Sequence, residues 1–166
     1  MLTYDCFPTA IGEITIARSE RGVCYIGLPS ASMGRVKAWV RRNFPGEALH
    51  PASAPFTRER RELQEYTDGR RNHFTFPIDH HNTPFSLQVL EQVSLVPYGE
   101  TATYGAIARR MGRPRAARAV GRAVATNPLP LVIPCHRIVG SDGSLTGYGG
   151  GITLKKALLE LEAGGS

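Results

Sequence analysis

One cysteine of the sequence stands beside two basic side chains that could activate it. Cys135 is followed directly by His136 and Arg137, after an apolar run that ends at Pro134. Imidazole and guanidinium groups favour the thiolate, which is the nucleophilic form of cysteine. In an extended segment adjacent side chains point to opposite faces, so Cys135 and His136 would need a bridging water or a sharp turn to act together. The segment predicts a cysteine nucleophile, although a lone cysteine is more often a small buried hydrophobe.

The segment that follows this cysteine is rich in glycine. It runs from Ser141 to Gly151, and four of its last five residues are glycine. Such a loop can bring backbone N–H groups close to a ligand, and it can equally be a mobile surface loop. The residues alone leave both interpretations open.

An arginine-rich stretch without acidic residues surrounds the cysteine. Seven arginines and no carboxylate lie between Thr101 and Ser141, and the whole chain carries a net charge of +6. Residues 115–125 combine arginine with small residues, which suits a helix pressed against a narrow groove and equally suits tight helix–helix packing. Two short helices joined by a glycine-containing turn are typical of a helix-turn-helix, which also occurs as plain architecture. The stretch permits a polyanionic partner without proving one.

The elements that must position these residues differ between the two halves of the chain. Alternating apolar residues predict strands over residues 13–18 and 22–28, and a further strand is predicted over residues 73–78. Helical spacing predicts helices over residues 32–44 and 56–66. The first half is therefore expected to be α+β.

The second half is expected to be mainly helical. Thr83 is a good N-cap for a helix that starts at Pro84, and Thr103 can cap a helix over residues 104–111. Further helices are predicted over residues 115–126 and 153–162. The residues expected to face inward from the last helix are Leu154, Ala157, Leu158 and Leu161.

Length and composition indicate a globular protein. The 166 residues allow one large or two small domains, and a composition change near residue 80 predicts domains at 1–80 and 81–166. The three cysteines are too few for a disulfide scaffold, so a reducing compartment is expected. Neither a membrane-spanning run nor a secretory signal is evident, and we expect a cytoplasmic protein.

Residues 97–162 closely resemble the O6-alkylguanine-DNA alkyltransferases, also called methylated-DNA–protein-cysteine methyltransferases. The Pro-Cys-His-Arg motif at residues 134–137 is the most specific match. The other matching residues are Pro97, Tyr98, Gly99, Glu100, Thr101, Tyr104, Ala116, Ala117, Arg118, Ala119, Val120, Gly121, Asn127, Pro128, Gly147, Tyr148 and Glu162. Residues 1–80 resemble the family's N-terminal domain more loosely. The resemblance implies an α+β fold, with a ribonuclease-H-like α/β N-terminal domain and a mainly helical C-terminal domain that carries a helix-turn-helix of winged-helix type.

The chemistry of this family would give roles to five residues. Cys135 would accept the alkyl group from O6 of a flipped guanine, and each molecule would react once because the thioether has no easy route back. His136 would take the thiol proton through a water, and Glu162 would orient His136. Asn127 would brace this network, and Tyr104 would donate a hydrogen bond to the departing base.

The resemblance also implies a DNA-binding surface and a base pocket. Arg118 would fill the gap left by the flipped nucleotide, with its helix in the minor groove. The other residues expected at the DNA are Ala117, Arg115, Gly121, Arg122 and Thr103, and those expected to line the pocket are Ile138, Tyr148, Gly149 and Pro130. The implied partner is double-stranded DNA containing O6-alkylguanine, bound without sequence specificity through phosphate contacts; O4-alkylthymine is left open as a second substrate.

No cofactor and no metal are expected. Some relatives carry a structural zinc in the N-terminal domain, and Cys6, Cys24, His80 and His81 are ligands by type, but they lack the short paired spacings of zinc sites. A stand-alone repair protein is expected: a monomer, cytoplasmic and nucleoid-associated, with no membrane partner.

Two other classes compete with this interpretation. A cysteine hydrolase or acyltransferase could use Cys135 and His136 as a dyad, and it would show many turnovers with no permanently modified cysteine. An alkyltransferase-like lesion binder or a regulator would keep the helix-turn-helix but would lack the acceptor cysteine, which is present here.

Overall fold

The chain folds as two compact units, Met1–His81 and Asn82–Ser166. The computed structural model describes residues Met1–Gly164. Strands form the centre of the first unit and helices form most of the second, which confirms the α+β class. Within Met1–Gly164, no helix combines the length and the apolar character needed to cross a membrane.

A four-stranded sheet in the order β3-β2-β1-β4 forms the centre of the first unit. Its strands are β1 (Leu2–Thr9), β2 (Gly12–Ser19), β3 (Gly22–Gly27) and β4 (Leu49–Pro51). The pairs β1–β2 and β2–β3 are antiparallel, whereas β4 runs parallel to β1. The sequence patterns predicted β2 and β3 but not β1 or β4.

Two helices accompany this sheet. Helix α1 (Met33–Asn43) begins at the N-cap Ser32, whose side chain accepts from the Arg35 N–H, and its buried Trp39 packs in a cluster with residues of the sheet. Helix α2 (Thr57–Thr67) contacts β1. Arg60 of α2 donates two hydrogen bonds, of 2.6 and 2.7 Å, to the Asp5 carboxylate of β1. These hydrogen bonds hold the pKa of Asp5 below its usual value.

The prediction of a strand over residues 73–78 is wrong. Only an isolated bridge joins Ile78 to Val23, where the Val23 N–H donates to the Pro77 carbonyl at 3.0 Å. Pro77 has no N–H to donate, and the Thr75 N–H is already bonded to the Glu62 carboxylate at 2.6 Å. The segment therefore has too few backbone donors left to extend the ladder.

The second unit consists of four helices and a small parallel ladder. The helices are α3 (Pro84–Ser94), α4 (Tyr104–Arg110), α5 (Ala117–Ala125) and α6 (Ile152–Glu162), and α3, α4 and α5 pack on one another. Strands β5 (Ala102–Thr103) and β6 (Ile138–Val139) pair in parallel. The predicted N-caps Thr83 and Thr103 are confirmed, because their hydroxyls accept from the Ser86 and Ala106 N–H groups.

The inward face predicted for the last helix is partly wrong. Ala157 is exposed, whereas the buried residues of α6 are Lys155, Leu158 and Glu162. Positions 155, 158 and 162 lie on one helical face. The prediction failed because it placed only apolar residues inside, and this face carries two charged groups whose polar atoms are satisfied internally.

Candidate active site

The candidate nucleophile is held on a short 3₁₀ turn, Cys135–Arg137. The Cys135 N–H donates to the Ile133 carbonyl at 2.7 Å, and the Arg137 N–H donates to the Pro134 carbonyl at 3.0 Å. In an extended segment the side chains of Cys135 and His136 would point to opposite faces. The turn removes this strict alternation, so the sharp turn that these two residues need in order to act together is present.

The segment before the turn is braced by Asn127. Its Nδ2 donates to the Ile133 carbonyl at 2.9 Å, and its Oδ1 accepts from the Leu129 N–H at 2.9 Å. Leu131, in the same segment, has a φ of 74° and is the only non-glycine residue with positive φ within Met1–Gly164. Such a conformation costs on the order of 1–3 kcal/mol and persists where the surrounding contacts fix it. The Asn127 bonds are contacts of that kind, and they set the position of Cys135.

A buried cluster of charged side chains lies beside the nucleophile. The Nε2 of His136 lies 2.7 Å from the Glu162 Oε2. Arg137 donates to both oxygens of the same carboxylate, from Nε at 2.7 Å and from Nη2 at 2.9 Å, and its Nη1 donates to the Val96 carbonyl at 2.7 Å. The Gly99 N–H also donates to Glu162, at 3.4 Å. Glu162 is therefore an acceptor for three different residues.

The contact with Glu162 fixes the state of His136. Burial lowers the pKa of His136 below its usual value even though the Glu162 carboxylate raises it, so the imidazole is neutral at neutral pH. A neutral imidazole that donates Nε2–H to a carboxylate carries its lone pair on Nδ1. The arrangement makes Nδ1 the basic nitrogen of the site.

Cys135 is 4% exposed, and its environment opposes spontaneous ionisation. Burial raises the pKa of its thiol to about 11, while hydrogen bonding by Asn127 and the charge of Lys155 lower it. The thiol therefore needs a base at the moment of reaction. His136 lies on the same turn, and its imidazole contacts the Glu162 carboxylate.

The parallel ladder brings a hydroxyl group to the same region. Ala102 pairs with Ile138 and Thr103 pairs with Val139, so α4 begins next to the segment that follows Cys135. Tyr104, the first residue of α4, donates its hydroxyl to the Thr146 carbonyl at 3.1 Å.

A buried lysine meets the same carbonyl. The Nζ of Lys155 donates to the Ile138 carbonyl at 2.5 Å and to the Thr146 carbonyl at 3.0 Å. It also lies 5.9 Å from the centre of the Tyr104 ring. Lys155 of α6 therefore joins the cysteine segment to the glycine-rich loop.

The residues expected to line a pocket lie partly in this region. Ile138 and Pro130 are buried, and Gly149 is exposed beside the Ala125 carbonyl, 3.8 Å from where a Cβ would be. The Tyr148 hydroxyl is buried and, within Met1–Gly164, has no hydrogen-bond partner. Its pKa lies well above the usual value because of burial and of the charges on Cys135 and Glu162.

The arginines of α5 lie on its exposed face. Arg115, in the turn before the helix, and Arg118 and Arg122 within it are exposed, and the spacing of four residues between Arg118 and Arg122 places these two on one side of the helix. In the part of the chain that the structure describes, none of the three is within ion-pair distance of a carboxylate. Arg118 lies in the first turn, where the helix dipole disfavours a cation, so helix stability does not explain it.

The small residues of α5 let this helix lie close to Tyr104 of α4. A Cβ on Gly121 would lie 3.8 Å from the Tyr104 ring, and Ala117 opens the helix. Thr103 is partly buried and serves as the cap of α4. Gly121 therefore lies against the aromatic ring that borders the cysteine segment.

The cysteines of the first unit do not form a comparable site. The Cys6 sulfur lies 3.2 Å from the Thr15 hydroxyl, and Cys24 is buried, where burial raises the pKa of its thiol to about 12. His81 pairs with Asp79 at 3.0 Å. Among residues 1–164, no cluster of three or more metal-ligating side chains could hold a metal ion.

Two residues of the site were not singled out from the sequence. Arg137 was considered only as a promoter of the thiolate, whereas the structure shows it bound to Glu162 through two bonds. Lys155 was overlooked, although a signal was present: it lies three residues before Leu158 and seven before Glu162, on the face that the structure buries.

The fold and the site together define a class of protein. A buried thiol beside an imidazole–carboxylate pair is suited to nucleophilic attack, and an exposed arginine face in the same unit is suited to a polyanion. A cysteine-nucleophile protein that acts on nucleic acid is the class that combines both features.

Comparison with known proteins agrees with this class. The sequence model described as 6-O-methylguanine DNA methyltransferase, DNA binding domain, matches residues 84–164, and that described as its ribonuclease-like domain matches residues 2–80. A methylated-DNA–protein-cysteine methyltransferase of Methanosarcina barkeri is 38% identical over 160 residues, covering 96% of each chain. The inducible Bacillus subtilis protein of the same description is 37% identical, covering 89% of this chain and 82% of that protein.

A solved structure shows the same fold in a complex. The Mycobacterium tuberculosis OGT in complex with DNA superposes with a TM-score of 0.84 at 34% identity, covering 98% of this chain and 93% of that chain. The chain belongs to the O6-alkylguanine-DNA alkyltransferase family, as the resemblance of the sequence predicted. It is a DNA-binding methyltransferase of DNA repair.

Proposed function

We propose that the protein repairs DNA by direct reversal, transferring the alkyl group of O6-alkylguanine to its own Cys135. The observation that carries this proposal is the 2.7 Å contact between His136 and Glu162, with Cys135 on the same turn as that histidine. This arrangement supplies a base and its orienting carboxylate for a thiol that burial keeps protonated.

The reaction consists of one proton transfer and one displacement. The thiol proton passes through a water to Nδ1 of His136, and the resulting imidazolium is stabilised by Glu162. The sulfur of Cys135 attacks the alkyl carbon, the carbon–O6 bond breaks, and its electron pair stays with the guanine. Tyr104, turning from the Thr146 carbonyl, donates a hydrogen bond to the departing base and offsets its negative charge.

The product explains why each molecule acts once. The alkyl group ends in the carbon–sulfur bond of a thioether, which has no easy route back to the free thiol. The protein is consumed in proportion to the lesions it repairs.

The substrate base must leave the duplex to reach the site. The O6 atom of a paired guanine is inaccessible to a thiol that is 4% exposed, so the nucleotide is flipped into a pocket bordered by Tyr148, Gly149 and Pro130. In this proposal the carbonyls of Cys135 and Ile138 accept from its exocyclic amine, and the Gly149 N–H donates to O6.

Helices α4 and α5 bind the duplex as a helix-turn-helix of winged-helix type. Helix α5 lies in the minor groove, where its small residues allow a close approach and Arg118 occupies the gap left by the flipped base. Arg115 and Arg122 contact phosphates, so binding is independent of sequence. The protein acts as a monomer on methylated DNA, the substrate that its relatives' names describe.

Replacement of Arg118 by alanine is expected to slow repair of duplex substrate about tenfold to a hundredfold, because nothing then occupies the vacated stack. Affinity for undamaged duplex should fall much less, because the variant loses only one of several positive charges that attract the phosphates. The measurement is the single-turnover transfer rate on a duplex with one O6-methylguanine, together with the slope of affinity against salt.

The matched control for this variant is Arg41→Ala, an exposed arginine in a helix of the first unit. It removes the same charge without touching α5. A variant lacking the Arg118 side chain that repairs duplex DNA at the wild-type rate would exclude the proposed role of that side chain.

The pH dependence of transfer is expected to follow the neutral form of His136. Burial places the pKa of His136 below 6.5, so the base stays neutral as the pH falls to that value. The transfer rate should therefore hold from neutral pH down to about 6.5 and decline only below it. Single-turnover rates between pH 5 and 8 test this, and a decline that starts above pH 6.5 would contradict a neutral, buried base.

Mass spectrometry tests the proposed function as a whole. The protein is mixed with a duplex containing one O6-methylguanine, and intact protein and peptides are weighed. We expect a gain of one methylene mass on the Cys135 peptide, saturating at one per molecule. Tight binding without mass gain would indicate a lesion binder, and turnover without mass gain would indicate a hydrolase. A parallel duplex with O4-methylthymine tests the second substrate.

A further inference from the structure

Lys155 is one of the most deeply buried residues of the second unit, with 1% of its surface exposed. A lysine rarely reaches this degree of burial unless it is paired, because an ammonium group loses its hydration there. The two carbonyl oxygens of Ile138 and Thr146 satisfy its hydrogen-bonding capacity in part, at 2.5 and 3.0 Å.

These carbonyls are neutral, so the charge of Lys155 has no permanent counter-ion. Within Met1–Gly164 no carboxylate oxygen lies within 4.0 Å of its Nζ; Glu162, on the same helix face, is paired with His136 and Arg137 instead. The charge must therefore be balanced by a group that is not a carboxylate, or remain a cost to the folded state.

Cys135 is the group that can supply a balancing charge, at the moment when its thiol ionises. Ile138, which accepts from Lys155, is three residues beyond Cys135 and directly follows the same turn. The electrostatic coupling is mutual: the Lys155 charge lowers the pKa of the Cys135 thiol, and the thiolate charge raises the pKa of Lys155, against burial in both cases.

The two carbonyls that accept from Lys155 also contact groups that take part in the proposed reaction. Ile138 is the proposed acceptor for the exocyclic amine of the base, and Thr146 holds the hydroxyl of Tyr104 at 3.1 Å. One ammonium group thus fixes the backbone on both sides of the site.

We propose that Lys155 is a positioning residue of the alkyl-acceptor site, whose ammonium group ties the Ile138 and Thr146 carbonyls together and serves as the counter-ion of the Cys135 thiolate. The inference rests on the proposed function for its biological meaning, but its charge component concerns the thiol alone. It can therefore be tested without DNA.

The test measures the alkylation rate of Cys135 by iodoacetamide against pH, read by peptide mass spectrometry. Lys155→Met removes both the charge and the hydrogen bonds, Lys155→Gln removes the charge but keeps a donor, and Lys155→Arg keeps the charge. The matched control is Lys156→Met, because Lys156 is the exposed neighbour on the same helix.

We expect the two neutral variants to react about tenfold more slowly than wild type at neutral pH, with the midpoint of reactivity moved to higher pH. Lys155→Arg should keep a midpoint near that of wild type, even where its larger head group disturbs the carbonyls and slows transfer from DNA. The Lys156→Met control should react as wild type does. A folded neutral variant with the wild-type midpoint would overturn the counter-ion role.

A second measurement uses the unchanged side chain and does not depend on variant folding. The titration of Lys155 is followed by carbon NMR of its ε-methylene, before and after Cys135 is blocked with iodoacetamide. Loss of the thiolate should lower the pKa of Lys155, and an unchanged titration would contradict the coupling. If the thiol responds as expected but no methyl group is taken from O6-methylguanine, the counter-ion role stands and the proposed function fails.

Discussion

Replacement of Cys135 by serine is expected to abolish alkyl transfer while leaving DNA binding intact. A serine hydroxyl is far less acidic than a thiol, and the neutral His136 that serves the site is too weak a base to compensate. The loss should be on the order of 10⁴-fold or more, the scale observed when a nucleophile is removed. Affinity for duplex DNA should change by less than about twofold, because the arginine face of α5 is untouched.

Cys6→Ser is the matched control for this experiment. It makes the same atomic change on β1 of the first unit, where the sulfur lies 3.2 Å from the Thr15 hydroxyl. Transfer rates come from peptide mass spectrometry, and affinities come from binding to undamaged duplex. Transfer by Cys135→Ser at the rate of Cys6→Ser would place the acceptor elsewhere and refute the site.

Replacement of Glu162 by glutamine is expected to damage both stability and transfer. The variant keeps the shape of the side chain but leaves the buried Arg137 cation without its counter-charge, a loss of about 3–5 kcal/mol for a buried pair. It also removes the carboxylate that orients His136, which should slow transfer about a hundredfold or more. Urea unfolding and single-turnover kinetics measure the two effects.

A second substitution separates these two effects. Adding Arg137→Met to Glu162→Gln removes the orphaned cation, so stability should recover in large part, whereas transfer should stay slow because His136 still lacks its carboxylate. Glu160→Gln, an exposed change on the same helix, should alter neither property. Recovery of transfer together with stability would mean that Glu162 acts only through folding.

The sequence was sufficient for the elements with strong local signals. The caps Thr83 and Thr103 have hydroxyls that bond the helix N–H groups, and helices α1 to α6 lie within a few residues of their predicted positions. These features depend on neighbouring residues, which the sequence displays directly.

The failures of prediction concern features that depend on distant residues. The strand predicted over residues 73–78 is absent because a side chain of α2 takes a backbone donor from that segment, and no local pattern reveals such competition. Lys155 was missed because its burial depends on carbonyls of two other segments. The family motif located Cys135 and His136, but only the structure shows that Arg137 and Glu162 form a bidentate pair.

In the proposed mechanism, helix α6 supplies both charged groups that act on Cys135, Glu162 through His136 and Lys155 through its ammonium group, while the thiol itself belongs to a turn elsewhere. The helix starts at Gly151 without a side-chain cap, and its first turn has no acidic residue, so its own sequence stabilises it little. Local opening of this helix is therefore expected to cost less free energy than global unfolding. Each opening would remove both charged groups from the neighbourhood of Cys135 at once. The transfer chemistry proposed for Cys135 is therefore conditional on the docking of one helix.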